Sequence, residues 1–421
     1  MPLEFILFAI TLTGVAVFHR HTLPVALGGL AAVTAYKLAF TGFATGAGAA
    51  GLLAHFAREW VVLANLLGLL LAFALLSRHF EKTQVPAVLP RFLPHDWKGC
   101  FALLAIVFVL SSFLDNIAAA LIGGAMARTL FRGRVHVGYL AAIVAASNAG
   151  GSGSVVGDTT TTMMWIEGVN PLDVFGAYMA AVVALVICGV PAARQQQRYS
   201  PILKHERKDI RIDWPRVGIV FFILATAVAT NVTANVEFPD DVGRFPWIGV
   251  SVVIAVLLSA PLRRPDWEVL PESLKGSMFL LSLVMAATMM PVERLPAASW
   301  QTAMGLGFVS AVFDNIPLTA LALRQGGYDW GFLAYAVGFG GSMIWFGSSA
   351  GVALSSVYPE AKSVGQWLRH GWHVPLAYAI GFLVLLLVAG WHPNAPHKKG
   401  QPGIDTPMLA LPAASSPVAT R

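Results

Sequence analysis

One polar pattern occurs twice in this otherwise apolar chain, in the same order each time. In the first half Phe113-Leu114-Asp115-Asn116-Ile117 is followed by Gly150-Gly151-Ser152 and, four residues on, by Gly157-Asp158. In the second half Val312-Phe313-Asp314-Asn315-Ile316 is followed by Gly340-Gly341-Ser342 and, four residues on, by Gly347-Ser348. The surrounding apolar residues come in runs of about 17–25, the length that crosses a bilayer core. An Asp-Asn pair inside such a run costs on the order of a few kcal/mol unless something uses it. A Gly-Gly-Ser break leaves backbone N–H and C=O groups unpaired, which is tolerated at membrane depth only where they line protein or a water-filled cavity. Both costs, borne twice in one order, imply two structural repeats around a shared polar centre.

Composition sets the class. Of the 421 residues 56% are hydrophobic and 12% charged, where a soluble domain carries roughly 25% charged residues, and the mean hydropathy is +0.67. The expectation is an all-α polytopic membrane protein. The formal charge of +6 sits in loops, where it reports topology rather than nucleic-acid binding. Cys100 and Cys188 lie in apolar segments and form neither a disulfide framework nor a metal-ligand spacing. Neither a catalytic residue nor a resident cofactor is expected, and the chain reads as a non-enzyme. The run Leu3–Phe18 has no basic residue before it and no clear small-residue cleavage site, so it reads as a spanning helix rather than a signal peptide.

The chain divides into N-terminal spanning helices (residues 1–59), a first repeat (60–193), a linker (194–213), a second repeat (214–391) and a tail (392–421). Ordinary spans are expected at Leu3–Phe18, Leu23–Phe40, Trp60–Ser77, Val174–Ala193, Val217–Val236, Trp247–Leu262, Met278–Met290 and Pro375–Trp391. A proline-containing basic loop, Arg78–Lys98, follows the third. The stretch 100–131 is too long for one span and is interrupted at Asp115-Asn116, which suits a re-entrant hairpin. The stretch 137–166, broken from Asn148 to Gly157, suits a discontinuous helix. Residues 301–323 and 330–357 repeat that pair. With the two broken helices the total is about ten spanning helices. The tail is rich in Pro, Ala, Ser and Lys, a composition of disordered segments.

If each hairpin returns to its own face and each broken helix crosses, one face holds Arg20, Arg78, Lys82, Arg91, Lys98, Arg128, Arg132, Arg134, the seven basic residues of 194–216, Arg263, Arg264, Lys275, Lys362 and Arg369. Those are 20 of the 28 Lys and Arg. The positive-inside rule makes that face cytoplasmic. The first hairpin then opens to the cytoplasm and the second to the opposite side, so the repeats are inverted and both termini are periplasmic. Inverted repeats with opposed hairpins suit alternating access better than a passive channel, which builds its pore from rings contributed by several subunits.

At these residues the chain resembles the ion-transporter superfamily, which includes bacterial sodium/proton antiporters, arsenite permeases and carriers of citrate and dicarboxylates. The resemblance covers roughly Val61 to Trp391. It is nearest to one sodium/proton antiporter branch, through Ser147-Asn148-Ala149-Gly150-Gly151 with Val156-Gly157-Asp158-Thr159-Thr160-Thr161, and through Phe313-Asp314-Asn315-Ile316-Pro317-Leu318 with Gly340-Gly341-Ser342 and Gly347-Ser348-Ser349-Ala350-Gly351-Val352. The resemblance implies a secondary transporter of the bacterial inner membrane. Carboxylate carriers of the superfamily usually place Ser-Asn-Thr at each hairpin tip. Here the tips read Leu114-Asp115-Asn116 and Phe313-Asp314-Asn315, and acidic residues favour a cation or proton over a di- or tri-anion. Between the first pair of glycines Gly153-Ser154-Val155-Val156 replaces the bulky residue and proline common in that branch.

Sodium, the transported or coupling ion in this reading, takes oxygen ligands from carboxylates, amides and unwound backbone. The expected ion-binding residues are Asp115, Asn116, Asn148, Gly151, Ser152, Asp158, Thr159, Asp314, Asn315, Gly341, Ser342 and Ser348. Asp115, Asn116, Asp314 and Asn315 are the expected sodium ligands. A desolvated carboxylate can exchange its proton for sodium near neutral pH, the simplest route to antiport. Helix N-capping competes as a role for Asp115, Asp314 and above all Asp158. Hydroxyls of Thr159–Thr162 bond back to helix carbonyls in lipid. Asn65, Asn231 and Asn235 suit interhelical hydrogen bonds. His370 and His373, near the cytoplasmic face, are candidate pH sensors. The expected partners are the lipid bilayer and a small ion or small molecule; a homodimer stays open. Citrate or another small carboxylate is the second substrate reading and arsenite the third. An intramembrane aspartyl protease would need Tyr-Asp and Gly-x-Gly-Asp inside spans, and Tyr328-Asp329 lies at a boundary.

Overall fold

The computed structural model describes residues 2–18, 21–154, 156–202, 211–238 and 243–394. The expected disordered tail lies almost wholly outside them. Among the described residues no strand forms, and the only extended pairing is a single antiparallel bridge between Phe43 and Gly46. The chain opens with α1 (Leu3–Val17), α2 (Thr22–Tyr36) with a π-turn at Lys37–Thr41, and the long α3 (Gly48–Lys82). After α4 (Val85–Val88) come α5 (Trp97–Ser111), α6 (Asn116–Leu130), α7 (Val137–Ser152), α8 (Thr159–Ile166), α9 (Pro171–Phe175) and α10 (Ala177–Tyr199). The second half runs α11 (Trp214–Glu237), α12 (Trp247–Ser259), α13 (Leu270–Thr288), α14 (Trp300–Ser310), α15 (Asn315–Gln325), α16 (Trp330–Gly340), α17 (Ser349–Val357), α18 (Val364–His370) and α19 (His373–Ala389).

Five helical segments, Thr22–Thr41, Gly48–Lys82, Pro171–Tyr199, Trp214–Ala234 and Trp267–Thr288, are long and apolar enough to cross a bilayer by themselves. The pair α18–α19, bent by 59° at its break, brings the number to six. The protein is a multi-pass membrane protein. Both expected hairpins are helix–turn–helix pairs (α5–α6 and α14–α15), and both expected broken helices are interrupted (α7–α8 and α16–α17).

Several boundaries differ from the sequence expectation, and three of them bear on the argument. The span expected at Trp60–Ser77 is only the middle of α3, which starts at Gly48 because Ala49, Ala50, Leu52, Leu53 and Ala54 are strong helix formers. Its last turn carries His79 and Lys82, which suit the negative end of the helix. The linker expected from Arg194 begins after Tyr199, since α10 continues to bury Gln196. That side chain accepts from the His136 N–H at 2.7 Å and donates to the Arg134 and Ser200 carbonyls, both at 3.1 Å. Asn148, expected at the start of the break, lies inside α7, because Gly150 and Gly151 hold helical geometry to Ser152.

The core is built at the centre of the helix array. α7 and α16, fully buried along their lengths, pack on each other, and α10 packs on α19. α6 packs on α17 and α15 on α8, so the second helix of each hairpin meets the second half of the other repeat's broken helix. Polar contacts sort the helix ends into two groups. At one end the α6–α7 junction, the end of α10 and the start of α5 are tied by Gln196 and by Gln197, whose amide donates to the His95 carbonyl at 3.2 Å. Lys82 pairs with Asp266 at 2.9 Å and Arg263 with Asp213 at 3.0 Å, joining the ends of α3, α11, α12 and α13. In the other group the α15–α16 junction meets the end of α19, where Asn394 N–H donates to the Tyr328 carbonyl at 3.3 Å and His392 N–H to Asp329 at 2.9 Å. Arg324 near the end of α15 pairs with Glu59 of α3 at 2.9 Å.

Candidate functional site

Each half brings its hairpin turn against its own broken helix by the same close approach. A Cβ on Gly150 would stand 2.0 Å from the Phe108 carbonyl oxygen, and one on Gly340 2.3 Å from that of Gly307, so only glycine permits these backbone contacts. Side chains lock the turns. Ser112 donates to the Gly150 carbonyl at 3.2 Å, Ser154 to the Ser112 carbonyl at 2.6 Å, and Ser310 to the Val337 carbonyl at 2.7 Å.

This assembly presents four helix N-termini, those of α6, α8, α15 and α17, whose N-caps are Asp115, Asp158, Asp314 and Ser348. Asp158 is 2% exposed. Its Oδ1 accepts from the Thr160 N–H at 3.1 Å, and its Oδ2 faces the Asn315 amide at 3.4 Å. Asp314 has both oxygens engaged, by the Ile316 N–H at 3.0 Å and the Ser349 hydroxyl at 3.1 Å. Ser348 accepts from the Gly351 N–H at 3.3 Å. Asp115 occupies the N-cap position without accepting a capping bond, and is half-buried.

The two halves interlock through amides. Asn116 donates to Asn148 Oδ1 at 3.1 Å, and Asn148, fully buried, donates to Ser342 at 2.9 Å and Ser348 at 3.1 Å. The matching contact on the other side is the Asn315–Asp158 pair. The motif register sets Asn148 opposite Gly338, two residues before each Gly-Gly, and Asp158 opposite Ser348. The polar side chain therefore lies on the broken helix in one half and in its break in the other. A Cβ on Gly338 would lie 3.2 Å from Ser152 Cβ and 3.5 Å from Asp158 Oδ2, so a side chain there would crowd the carboxylate.

Of the expected residues, Asn116, Asn148, Ser342 and Ser348 form one connected cluster, and Asn315 with Asp158 the second. Ser152 donates to its own helix at the Ala149 carbonyl, 2.8 Å away. Gly151 and Gly341 let the two ends of each break approach, their Cβ positions lying 2.8 Å from the Gly157 oxygen and 2.7 Å from the Gly347 oxygen. Thr159 begins α8 and is half-buried. Thr161 and Thr162 both donate to the Asp158 carbonyl at 2.9 Å, as hydroxyls in apolar helices do. Asn65 makes the interhelical bond expected of it, accepting from the Gly249 N–H at 2.9 Å; the Asn235 side chain lies outside the described residues. His370 packs against His136 with ring centroids 4.9 Å apart, and His373 is fully buried.

Sequence reasoning missed Gly338, Ser349, Ser112 and Ser154. Gly338 was within reach, since setting the repeats in register puts it opposite Asn148. Ser154 and Ser349 stand inside the motif strings, but nothing in the strings assigns them a contact, and Ser112 carries no signal that separates it from other serines in apolar helices. Among the described residues no Lys, Arg or His bonds to any of these site groups, and no cluster of His, Cys, Asp and Glu has the geometry of a metal centre.

Three relatives are similar over part of the chain. A protein named sodium/proton antiporter 1 from Arabidopsis thaliana is 28% identical over 293 residues, 59% of this chain and 48% of the relative. Sodium/proton antiporter 2 from the same plant is 26% identical over 59% of this chain and 67% of its own length. The Na(+)/H(+) antiporter NhaD of Vibrio parahaemolyticus is 26% identical over 59% of this chain and 71% of its own. The chain thus spans about half the length of the first of these relatives. Residues 5–340, most of the chain and both hairpin turns, match the family described as citrate transporter. The chain belongs to the citrate transporter family.

Proposed function

We propose that the protein is a secondary transporter that exchanges sodium for protons by alternating access, with Asp158 as the carboxylate for which the two ions compete. The observation that carries this reading is the charge at the four N-termini. Each helix N-terminus contributes roughly +0.5 of an elementary charge, about +2 in all, against three aspartate caps with no basic partner among the described residues. Ionised, the centre holds a net charge of about −1, which one monovalent cation or one proton neutralises. A citrate anion would meet repulsion there. Asp158 is favoured over Asp314 because both Asp314 oxygens are engaged by shorter bonds, whereas among the described residues Asp158 Oδ2 meets only the 3.4 Å amide of Asn315. The names of the plant and Vibrio relatives agree with this reading.

The mechanism rests on two inverted repeats, re-entrant hairpins and about ten crossings, with the long basic linker facing the cytoplasm of a bacterial cell. What supports the inversion is that α10 and α19 run antiparallel: the start of α7 at Gly138 lies beside Gln195 near the end of α10 and the His370 carbonyl just before α19, whereas the start of α16 lies beside Asp173 and Ala177 at the start of α10 and bonds Asn394 just after α19. The test is ion exchange in proteoliposomes containing a pH-sensitive dye, with sodium, lithium, citrate and arsenite added in turn. Sodium should release protons from acid-loaded vesicles. Robust citrate uptake with no sodium-evoked proton flux would replace this reading with carboxylate transport.

A further inference from the structure

A polar cavity lies between α1, the π-turn after α2, and the ends of α3 and α13. It measures about 470 Å³, and Glu4, Lys37, Phe43, His55 and Thr288 line it. Four charged side chains line it: Glu293 and Arg294 are exposed at its rim, while Glu4 and Lys37 are buried and come from different elements. Glu4, at the start of α1, is 5% exposed, and Lys37, the first residue of the π-turn, is 7% exposed. They do not form an ion pair, and neither makes a hydrogen bond with another described residue. The Lys37 ammonium lies over the Phe43 ring, 5.9 Å from the centroid, and within electrostatic reach of Glu4 and Glu293 without pairing directly with either. His55 needs no partner from the cavity, since its Nε2 shares a hydrogen bond with the Thr288 hydroxyl at 3.1 Å. A π-turn is a rare interruption that recurs at functional positions, and here it opens on the buried ammonium. Buried charges without partners are costly, so native structures pair or solvate them.

We propose that this cavity binds a small zwitterion, a molecule such as a free amino acid, with its carboxylate toward Lys37 and its ammonium toward Glu4. Of the two buried charges a lone cation would satisfy only Glu4 and a lone anion only Lys37, whereas one molecule carrying both charges satisfies the two at once; the exposed Glu293 and Arg294 are left to solvent. The volume lies within the roughly 300–1,000 Å³ typical of small-molecule pockets, and an amino acid with a few waters at about 30 Å³ each fits in it. The site is separate from the four helix N-termini and does not depend on which ion is exchanged there.

The test is thermal unfolding of the purified full-length protein against glycine and glycine betaine, with ethylammonium chloride and sodium acetate as single-charge controls. A ligand that binds only the folded state raises Tm with a saturating dose dependence. Glycine should give such a rise and the single-charge controls should not. Glu4→Gln and Lys37→Gln should each remove it. Ala44, an exposed residue on the cavity wall, provides a variant that leaves both charges in place: Ala44→Trp should block the cavity and remove the rise, and it decides the matter if either charge variant does not fold. Glycine is also an osmolyte, which stabilises by exclusion from the surface. A rise that stays linear with concentration, or that persists in Ala44→Trp, overturns the proposal, as does an equal rise with ethylammonium or acetate. Sodium/proton exchange is measured alongside, and its loss in any variant with the glycine response intact would leave this site standing.

Discussion

Asn148 joins the two halves of the molecule, and the strength of that joint can be worked from its bonds. Its amide donates to Ser342 at 2.9 Å and to Ser348 at 3.1 Å, and its oxygen accepts from Asn116 at 3.1 Å. Hydrogen bonds between membrane helices average about 0.6 kcal/mol, with a maximum of about 1.7. Asn148→Ala should therefore destabilise by about 2 kcal/mol from its three bonds, before any cavity term. Ser348→Ala loses one of those bonds and also the cap it offers Gly351, for about 1.5 kcal/mol together. In the double variant the shared bond can be lost only once, so the coupling energy should be about 0.6 kcal/mol and not above about 1.7. Ser355 is the control: it is also buried on α17, but its hydroxyl donates within its own helix to the Val352 carbonyl at 2.9 Å, so its coupling to Asn148 should vanish. The assay is reversible unfolding in detergent micelles, followed by tryptophan fluorescence. Zero coupling between Asn148 and Ser348, or the same coupling to Ser355, would refute the claim that this amide ties the repeats together.

Three further outcomes are expected. Gly150→Ala places a Cβ 2.0 Å from the Phe108 carbonyl oxygen and should lower stability by about 1–3 kcal/mol as overpacking does, seen as a lower Tm in detergent. Arg324→Gln removes the main partner of buried Glu59, to which it bonds at 2.9 Å, leaving Arg58 at 3.7 Å. The loss should be about 3 kcal/mol, and Glu59→Gln in the same chain should restore part of it. His136, in the loop before α7, binds a proton less readily than usual because it is buried and faces His370. The unfolded chain then takes up that proton first, so stability should fall as pH drops below the ordinary histidine pKa of about 6.5. His136→Asn keeps an acceptor for the Gly138 N–H, which His136 Nδ1 now binds at 3.2 Å, and should flatten that part of the Tm–pH curve.

Much of the plan was legible because its signals are costs. Asp-Asn pairs and Gly-Gly-Ser breaks are expensive in an apolar segment, and each fell where the structure turns or interrupts a helix, between α5 and α6, α7 and α8, α14 and α15, α16 and α17. Helix ends were less legible. Outside the bilayer, polar residues such as Arg78–Lys82 and Arg194–Arg198 prolong a helix at no cost, so hydropathy marks the crossing and not the helix. At the site, residue type named the aspartates and asparagines, but not their division of labour. The sequence reading weighed Asp115 and Asp314 first because they sit at the hairpin tips. How firmly each carboxylate is held depends on neighbours far apart in the chain: the Ser349 hydroxyl closing on Asp314 at 3.1 Å, and the longer 3.4 Å amide of Asn315 on Asp158. No local pattern encodes those contacts.

The central claim is that Asp158 is the carboxylate where sodium and proton compete, and one substitution addresses it directly. Asp158→Asn keeps the size of the side chain and an oxygen for the Thr160 N–H, so the cap on α8 survives. What is lost is the charge, together with the acceptor for the 3.4 Å amide of Asn315. The measurement is sodium-evoked proton release from proteoliposomes reconstituted with equal amounts of wild-type and Asp158→Asn protein, scanned across pH. Exchange should fall to the level of empty vesicles at every pH while Tm stays close to that of the wild type. Near-normal exchange in Asp158→Asn would contradict the account and move the chemistry to Asp115 or Asp314.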